Sequence, residues 1–529
     1  MKKLFLISLI LTLPLLTFSQ LDLPTYKFGR VLSLANNYYV DSINSDKLVE
    51  AAIVGLLKEL DPHSVYITKE EVDEMNEPLE GSFDGVGIQF NILDDTLLVV
   101  NPIPNGPSEK LGIKAGDRII EIDAQLVAGV GLKNSEVVKK LRGQKGTTVN
   151  LKILRKNNKN LLDFTITRDK IPIYSLDASY MIDNEIGYIK LNRFSATTMD
   201  EFNKAFASLK EKGLKSLIID LRGNGGGYLN TAVSLTNQFL EEGKMIVYTE
   251  GLHNPRYEEL ATKNGAFLNG KLAILVDEGS ASASEILSGA IQDHDRGIIV
   301  GRRTFGKGLV QRPYLLPDNS MIRLTVARYY TPSGRCIQKS YENGDKDYSE
   351  ELIKRYDNGE LLHADSIHFP ENLKYNTLKY KRTVYGGGGI MPDIFTPIDT
   401  TKIAEFYSKL VRSGTIYQYT VDYMDKHRET LTKKYSDFDT FNKTFVADKD
   451  LFDGLYAKAE KDKIKFTDED KAKSLKDNTL LIKALIARDL WDMSEYFQVV
   501  NPENDAYTKA IEALKNDKTY QNILKNTKK

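Results

Sequence analysis

Leu272-Ala273-Ile274-Leu275-Val276 runs into Asp277-Glu278-Gly279-Ser280-Ala281-Ser282-Ala283-Ser284-Glu285, and the chain continues to Gln292 with helical spacing. The first stretch is an apolar strand. The last places Ala283, Ile286, Leu287, Ala290 and Ile291 on one face, the stripe of an amphipathic helix. A serine at such a strand-to-helix corner sits beside unpaired backbone N–H groups and the positive end of the helix dipole. Those groups can hold the oxyanion that forms when a hydroxyl attacks a carbonyl. On this segment alone, an ordinary serine helix cap is the simpler reading.

Outward from this corner, strand and helix signals alternate over 170–398. Ile186 to Leu191, Leu217 to Asp220, Leu272 to Val276 and Ile298 to Gly301 read as strands. Asp200 to Lys212, Leu229 to Leu240 and Ser282 to Gln292 read as helices. The alternation predicts an α/β core of βα units around a buried sheet. Residues 340–380 are polar and read as an insertion. Residues 81–157 carry short β-type runs with Gly-Pro and Ala-Gly-Asp turns and one helix, Asn134 to Leu141, so they form a small β-rich domain. Residues 20–80 and 400–529 are helical in pattern, the latter Lys-rich and solvated. Asp448 to Gly454 has the flavour of a calcium loop, but its spacing is too long before the glycine.

Lys2 and Lys3 precede an apolar run from Leu4 to Leu16, and Thr17-Phe18-Ser19 offers small residues before Gln20. This is the layout of a secretory signal peptide, residues 1–19, cleaved near Ser19-Gln20. The reading predicts an exported, periplasmic protein, with an uncleaved anchor at the membrane as the alternative. Lys plus Arg is 72 and Asp plus Glu is 73 in 529 residues. That balance argues against a nucleic-acid partner. A single cysteine, Cys336, excludes an internal disulfide and a cysteine-based zinc site, and no two of the six histidines lie four apart as on a metal-binding helix.

A serine nucleophile needs a base. His294 lies at the far end of the same helix, about 18 Å from Ser282. Lys307, in Thr304-Phe305-Gly306-Lys307-Gly308, is the alternative if burial lowers its pKa. Gly301 to Lys307 also matches the phosphate-loop pattern, but Gly308 stands where a magnesium-binding Ser or Thr is required. A second glycine run, Asp220-Leu221-Arg222-Gly223-Asn224-Gly225-Gly226-Gly227, follows another buried strand. Three consecutive glycines exceed what a turn needs and suit close approach to a ligand.

Taken in order, these motifs resemble the carboxyl-terminal processing peptidases, or tail-specific proteases. The matched residues run from Leu60-Asp61-Pro62-His63-Ser64 through Asp220-Leu221-Arg222, Gly279 to Glu285, Gln292-Asp293, Thr304 to Gly308 with Gln311, and Tyr330 to Arg335, to Gly388 to Asp393. The resemblance implies a crotonase-like α/β peptidase core with a Ser–Lys dyad and no metal or organic cofactor. It places the nucleophile at Ser282, the general base at Lys307 and the residue orienting that lysine at Gln311. If 308–312 is a strand, Lys307 and Gln311 face the same side. The oxyanion donors would be the N–H of Ala283 and of Gly226 or Gly227. Asp293 matches an acidic position and reads as structural.

The β-rich region resembles the family's PDZ domain. Gly85-Val86-Gly87-Ile88 fits its carboxylate-binding loop, and a substrate tail with an apolar C-terminus would add as a strand beside Ile88 to Phe90. Arg142, after the PDZ helix, is positioned to contact the protease core and couple tail binding to activity. The function implied is that of an exported serine endopeptidase acting on tailed protein substrates. The alternative is an inactive PDZ-containing periplasmic adaptor. A periplasmic adaptor or self-association through the helical termini are further partner expectations.

Overall fold

The strand Leu217-Ile218-Ile219 is apolar at every position, so each of its faces needs a covering layer. The structure, a computed structural model, describes residues 22–93, 95–156, 158–398 and 404–525. The expected export signal lies outside the described residues. The central sheet has six strands in the order Leu176–Met181, Ile186–Leu191, Ser216–Asp220, Lys271–Val276, Ile298–Gly301, Ile394–Phe395. The first is antiparallel to its neighbour and the others are parallel.

Successive side chains alternate between the faces. Leu217, Ile219, Leu272 and Ile274 pack with Phe202, Leu235, Ile286 and Leu287, from helices Thr198–Glu211, Leu229–Asn237 and Ala283–Asp293. Ile218, Ala273, Leu275 and Ile298 pack instead with Tyr507, Ala510, Leu514 and Tyr520, from the helices Asp505–Lys515 and Asp517–Lys525. This corrects one expectation. The sequence placed all of 400–529 outside the core, yet its last two helices are the second layer of the peptidase sheet. Their Ala/Tyr/Leu stripe is small-residue and short, which is why charge dominated its reading. Residues 405–500 form a separate helical bundle with its own core around Phe406, Phe441, Leu455 and Ile482. There Asp448 caps the helix Lys449–Lys461 by accepting from the Leu451 N–H at 3.0 Å, so it closes a helix and not an ion loop.

A second sheet joins Met245–Gly251, Asn254–Leu260, Leu309–Leu315 and Met321–Tyr330. The N-terminal region contributes to it. Its helices Leu23–Tyr38, Ser45–Lys58 and Lys69–Glu80 match the helical expectation, but Val65–Ile67 is a strand paired with Arg323–Met321. Pro62 stops the preceding helical run, and β-branched Val65 and Ile67 favour the ladder.

The β-rich domain has the sheet order Ile88–Leu93, Thr96–Pro102, Arg118–Ile122, Thr148–Leu154, Leu162–Thr167. It runs past residue 157, because Leu162, Phe164 and Ile166 alternate with polar residues and pair with Thr148–Ile153. Among the described residues the strand Ile88–Leu93 is an edge, with only Thr96–Pro102 beside it. The polar insertion is ordered by a helix, Asp345–Asp357, and by the pair Lys374–Asn376 with Thr383–Tyr385.

Candidate active site

Ser282 caps the helix Ala283–Asp293 with φ +55° and ψ −111°. Side chains rarely adopt positive φ, because the β-carbon crowds the following carbonyl. The corner is held by Glu285, three residues on and fully buried. One oxygen of its carboxylate accepts the N–H of Ser282 at 2.8 Å and the N–H of Lys307 at 2.9 Å. The other accepts the Gly306 N–H at 2.8 Å and the Thr304 hydroxyl at 2.5 Å. Tyr329 mirrors this on the carbonyl side. Its hydroxyl is shared between the Ser282 carbonyl, at 3.1 Å, and the Lys307 carbonyl. The backbones of residues 282 and 307 are thus bridged at both their donors and their acceptors. Burial pushes the Glu285 carboxyl up to about 7 against four donors that address its anion.

Lys307 is half-buried, and no hydrogen bond or ion pair among the described residues engages its ammonium. Burial lowers its pKa and Arg323 lowers it further, while Glu285 and Asp61 oppose. An amine so placed loses its proton more readily than a solvated lysine.

The glycine run closes on the same corner. A β-carbon on Gly226 would stand 2.8 Å from Ser282 Cβ and 3.0 Å from the Ala283 nitrogen. The Gly226 N–H itself donates to Asn224 Oδ1 at 2.9 Å. Among the described residues nothing takes the N–H of Ala283, next to Ser282, or of Gly227, next to Gly226. The run is anchored from below. Asp220, fully buried, pairs with Arg222 and accepts from the Tyr188 hydroxyl at 2.6 Å.

Gln311 is placed differently from its expected role. Its amide meets the Thr325 hydroxyl at 3.4 Å, not the Lys307 ammonium. The register slips between Val310 and Gln311, so the simple parity linking 307 to 311 does not hold. Thr325 in turn donates to Asp61 at 3.0 Å. Asp61 also accepts from the backbone of His63 and Ser64 and from the Ser64 hydroxyl at 2.6 Å. Asp293 is 0% exposed and pairs with fully buried Arg335 at 2.7 Å, in keeping with its structural reading. Glu285, Tyr329, Arg323 and Asp61 received no role from the sequence. Asp61 and Glu285 both lie in matched motifs, and Glu285 was signalled further, three positions after the serine at a helix start, where a carboxylate closes a capping box.

In the β-rich domain, Gly85-Val86-Gly87 leads into the free edge strand at Ile88. Gly87 has φ +71°, and a β-carbon there would meet Ile171 at 2.9 Å. Among the described residues, the ion-pair and ring partners of Arg142 lie in the segment 77–83 and not in the α/β core. The arginine pairs with Glu77 and lies over the Phe83 ring at 4.7 Å. Glu77 belongs to the linker helix Lys69–Glu80, whose Leu79 carbonyl accepts from Ala196 in the core at 2.8 Å.

Residues 185–345 match peptidase family S41, and residues 85–166 match the PDZ domain. The carboxy-terminal-processing protease of Bartonella bacilliformis is 39% identical over 323 residues, 59% of this chain and 73% of that protein. The chain belongs to the carboxy-terminal processing proteases. Among these proteases, CtpB of Bacillus subtilis is 36% identical over 326 residues, 61% of this chain and 67% of its own length. Residues 19–71 match the activating protease CtpB N-terminal domain, and 406–492 match a family of unknown function, DUF8443. A solved photosystem II D1 C-terminal processing protease is 29% identical, with a TM-score of 0.34 over 59% of this chain and 89% of that one. This carboxy-terminal processing protease therefore joins an S41 α/β core, a PDZ domain and helical terminal regions.

Proposed function

We propose that this protease is an exported endopeptidase that captures the C-terminal tail of a protein substrate on its PDZ domain and cleaves it with a Ser282–Lys307 dyad. The observation that carries the reading is the strained Ser282 backbone, tied to Lys307 through Glu285 and Tyr329. Backbone strain of this kind persists only where the surroundings over-determine it, and it clusters at reacting groups.

Ser282 Oγ attacks the scissile carbonyl while Lys307 Nζ takes its proton. The oxyanion falls to the N–H groups of Ala283 and Gly227, since that of Gly226 is already given to Asn224. The lysine then protonates the leaving amine, and the free amine activates the water that releases the acyl group. Gln311 enters one step removed, by holding Thr325 and through it Asp61 near the lysine. A substrate tail pairs with the open edge of Ile88–Leu93 and sets its terminal carboxylate on the N–H groups at Gly85 to Gly87. Export rests on the N-terminal pattern of residues 1–19.

The test is hydrolysis of an unfolded substrate ending in apolar residues, with a free or an amidated C-terminus. Ser282→Ala and Lys307→Met are expected to abolish cleavage, and amidation to raise KM. Full activity in Ser282→Ala would remove the nucleophile, and equal cleavage of the amidated substrate would remove tail recognition.

A further inference from the structure

Among the described residues the loop 304–308 has no strand partner, so each of its backbone groups must find an individual one. The N–H groups of Gly306 and Lys307 go to Glu285, and that of Phe305 to the Ser280 carbonyl at 3.0 Å. The carbonyls of Thr304 and Phe305 have a different source. Both accept from the guanidinium of Arg355, at 2.9 and 3.2 Å. Arg355 stands on the helix Asp345–Asp357 inside the insertion and is 3% exposed. All but the first residue of that helix lies beyond the stretch matching peptidase family S41.

The same helix holds the loop from two further sides. Glu351 pairs with Arg355 at 2.6 Å and with Lys339 at 3.2 Å. The Lys339 N–H donates to the Gly306 carbonyl at 2.9 Å, and its ammonium lies 4.1 Å from the ring centres of both Phe305 and Tyr348. Tyr348 presents its hydroxyl to His63 Nε2 at 2.7 Å, joining the insertion to the turn that carries Asp61.

We infer that the 340–380 insertion is a seat for the lysine loop, with Arg355 as the positioning residue that fixes Lys307 against Ser282. This rests on the Ser–Lys reading above. The physical need is clear: a general base displaced by even an ångström loses much of its effect, and a loop without ladder bonds is held only as well as its individual contacts hold it, of which Arg355 supplies those to the Thr304 and Phe305 carbonyls. Arginine suits the task because its fixed fork reaches two adjacent carbonyls at once.

The experiment uses the full mature chain carrying Arg355→Met, Arg355→Lys or Tyr348→Phe, each checked for folding by its thermal midpoint. Two readouts are taken. One is kcat and KM on a tailed substrate. The other is the rate at which a small amine-acylating reagent labels Lys307, followed by mass spectrometry. In folded Arg355→Met, kcat is expected to fall about 10- to 100-fold with KM within about twofold, and Lys307 labelling to change several-fold. Arg355→Lys should recover part of both. Should Arg355→Met not fold, Tyr348→Phe decides, with an expected loss of about threefold in kcat alone. Wild-type kcat and wild-type labelling in the folded variant overturn the inference. Cleavage surviving in Ser282→Ala would instead overturn the dyad, and the labelling of Lys307 would still decide the role of Arg355.

Discussion

Glu285 accepts the backbone N–H of Lys307 on the same oxygen that accepts the N–H of Ser282. Two segments 25 residues apart are thereby locked through one buried carboxylate. Glu285→Gln keeps the size but offers one acceptor oxygen and turns an NH2 toward N–H groups. The expected result is a loss of kcat on the order of 100-fold and of stability by roughly 2–4 kcal/mol. Peptide hydrolysis and denaturant unfolding measure the two. Near-normal turnover would show that the corner holds without its carboxylate.

Gly226 lies too close to Ser282 to carry a side chain. Gly226→Ala puts a carbon 2.8 Å from Ser282 Cβ and 2.9 Å from the Ala281 carbonyl, at φ +104°. Activity is expected to drop by about 100-fold or more while tail affinity stays within about twofold. Gly225→Ala is the control, since a β-carbon there meets nothing within 4 Å. Equal activity of the two variants would contradict the packing of the glycine run on the serine.

Much of this site was legible in the chain because its parts are local. Ser282 at a strand-to-helix corner, Lys307 between glycines and the run at Gly225 to Gly227 each announce a backbone need. Glu285 was visible in the same motif but silent about its target, because the link to Thr304–Lys307 is tertiary. Gln311 shows the opposite failure. A period-two argument assumes a regular ladder, and one slip at Val310 invalidates it. The helices after Asn504 were misjudged because their buried stripe relies on Ala506, Ala510 and Ala513, which carry a weak apolar signal. Arg355 and Tyr348 sit in a polar insertion, where charge patterning usually marks a solvated surface.

Arg323 and Asp61 act on Lys307 with opposite sign. Under the proposed Ser282–Lys307 dyad the deprotonated lysine is the active form, so the rate is expected to rise as pH passes through its pKa. Arg323→Met removes a neighbouring cation, favours the ammonium and shifts this rising limb to higher pH. Asp61→Asn removes an anion and shifts it lower, unless the Asp61 turn itself opens. Steady-state kcat/KM between pH 6 and 10 reads both, with an expected change of severalfold at neutral pH. Shifts in the same direction would mean that the two residues do not act through charge.

The C-terminal segment reaches the glycine run through Asn501, which is 2% exposed. It accepts from Arg222 at 3.2 Å and donates to the Tyr180 hydroxyl at 2.9 Å. Asn501→Ala removes one partner from each group, while Arg222 keeps Asp220 and the Tyr180 hydroxyl keeps that of Tyr507, so a loss of about 1 kcal/mol is expected, with a smaller effect on turnover. Ending the chain at Glu503 uncovers the sheet face under Tyr507, Leu514 and Tyr520, and soluble expression should fail. A stable, active truncation would return these helices to the status of an appendage.

His63 gives the protein an acid-sensitive contribution to stability. Burial lowers its pKa to about 4, Lys307 and Lys339 push the same way, and Asp61 opposes. The unfolded chain takes up this proton below about 6.5, whereas the folded one resists until about 4. The unfolded state therefore binds more protons in that window, and stability falls as pH drops from 6.5 toward 4. Because the ring is partly solvated, the contribution stays below about 2 kcal/mol. His63→Gln should narrow the difference between urea unfolding at pH 7 and at pH 4.5. An undiminished difference would show that His63 is not the group that takes up the proton in this window.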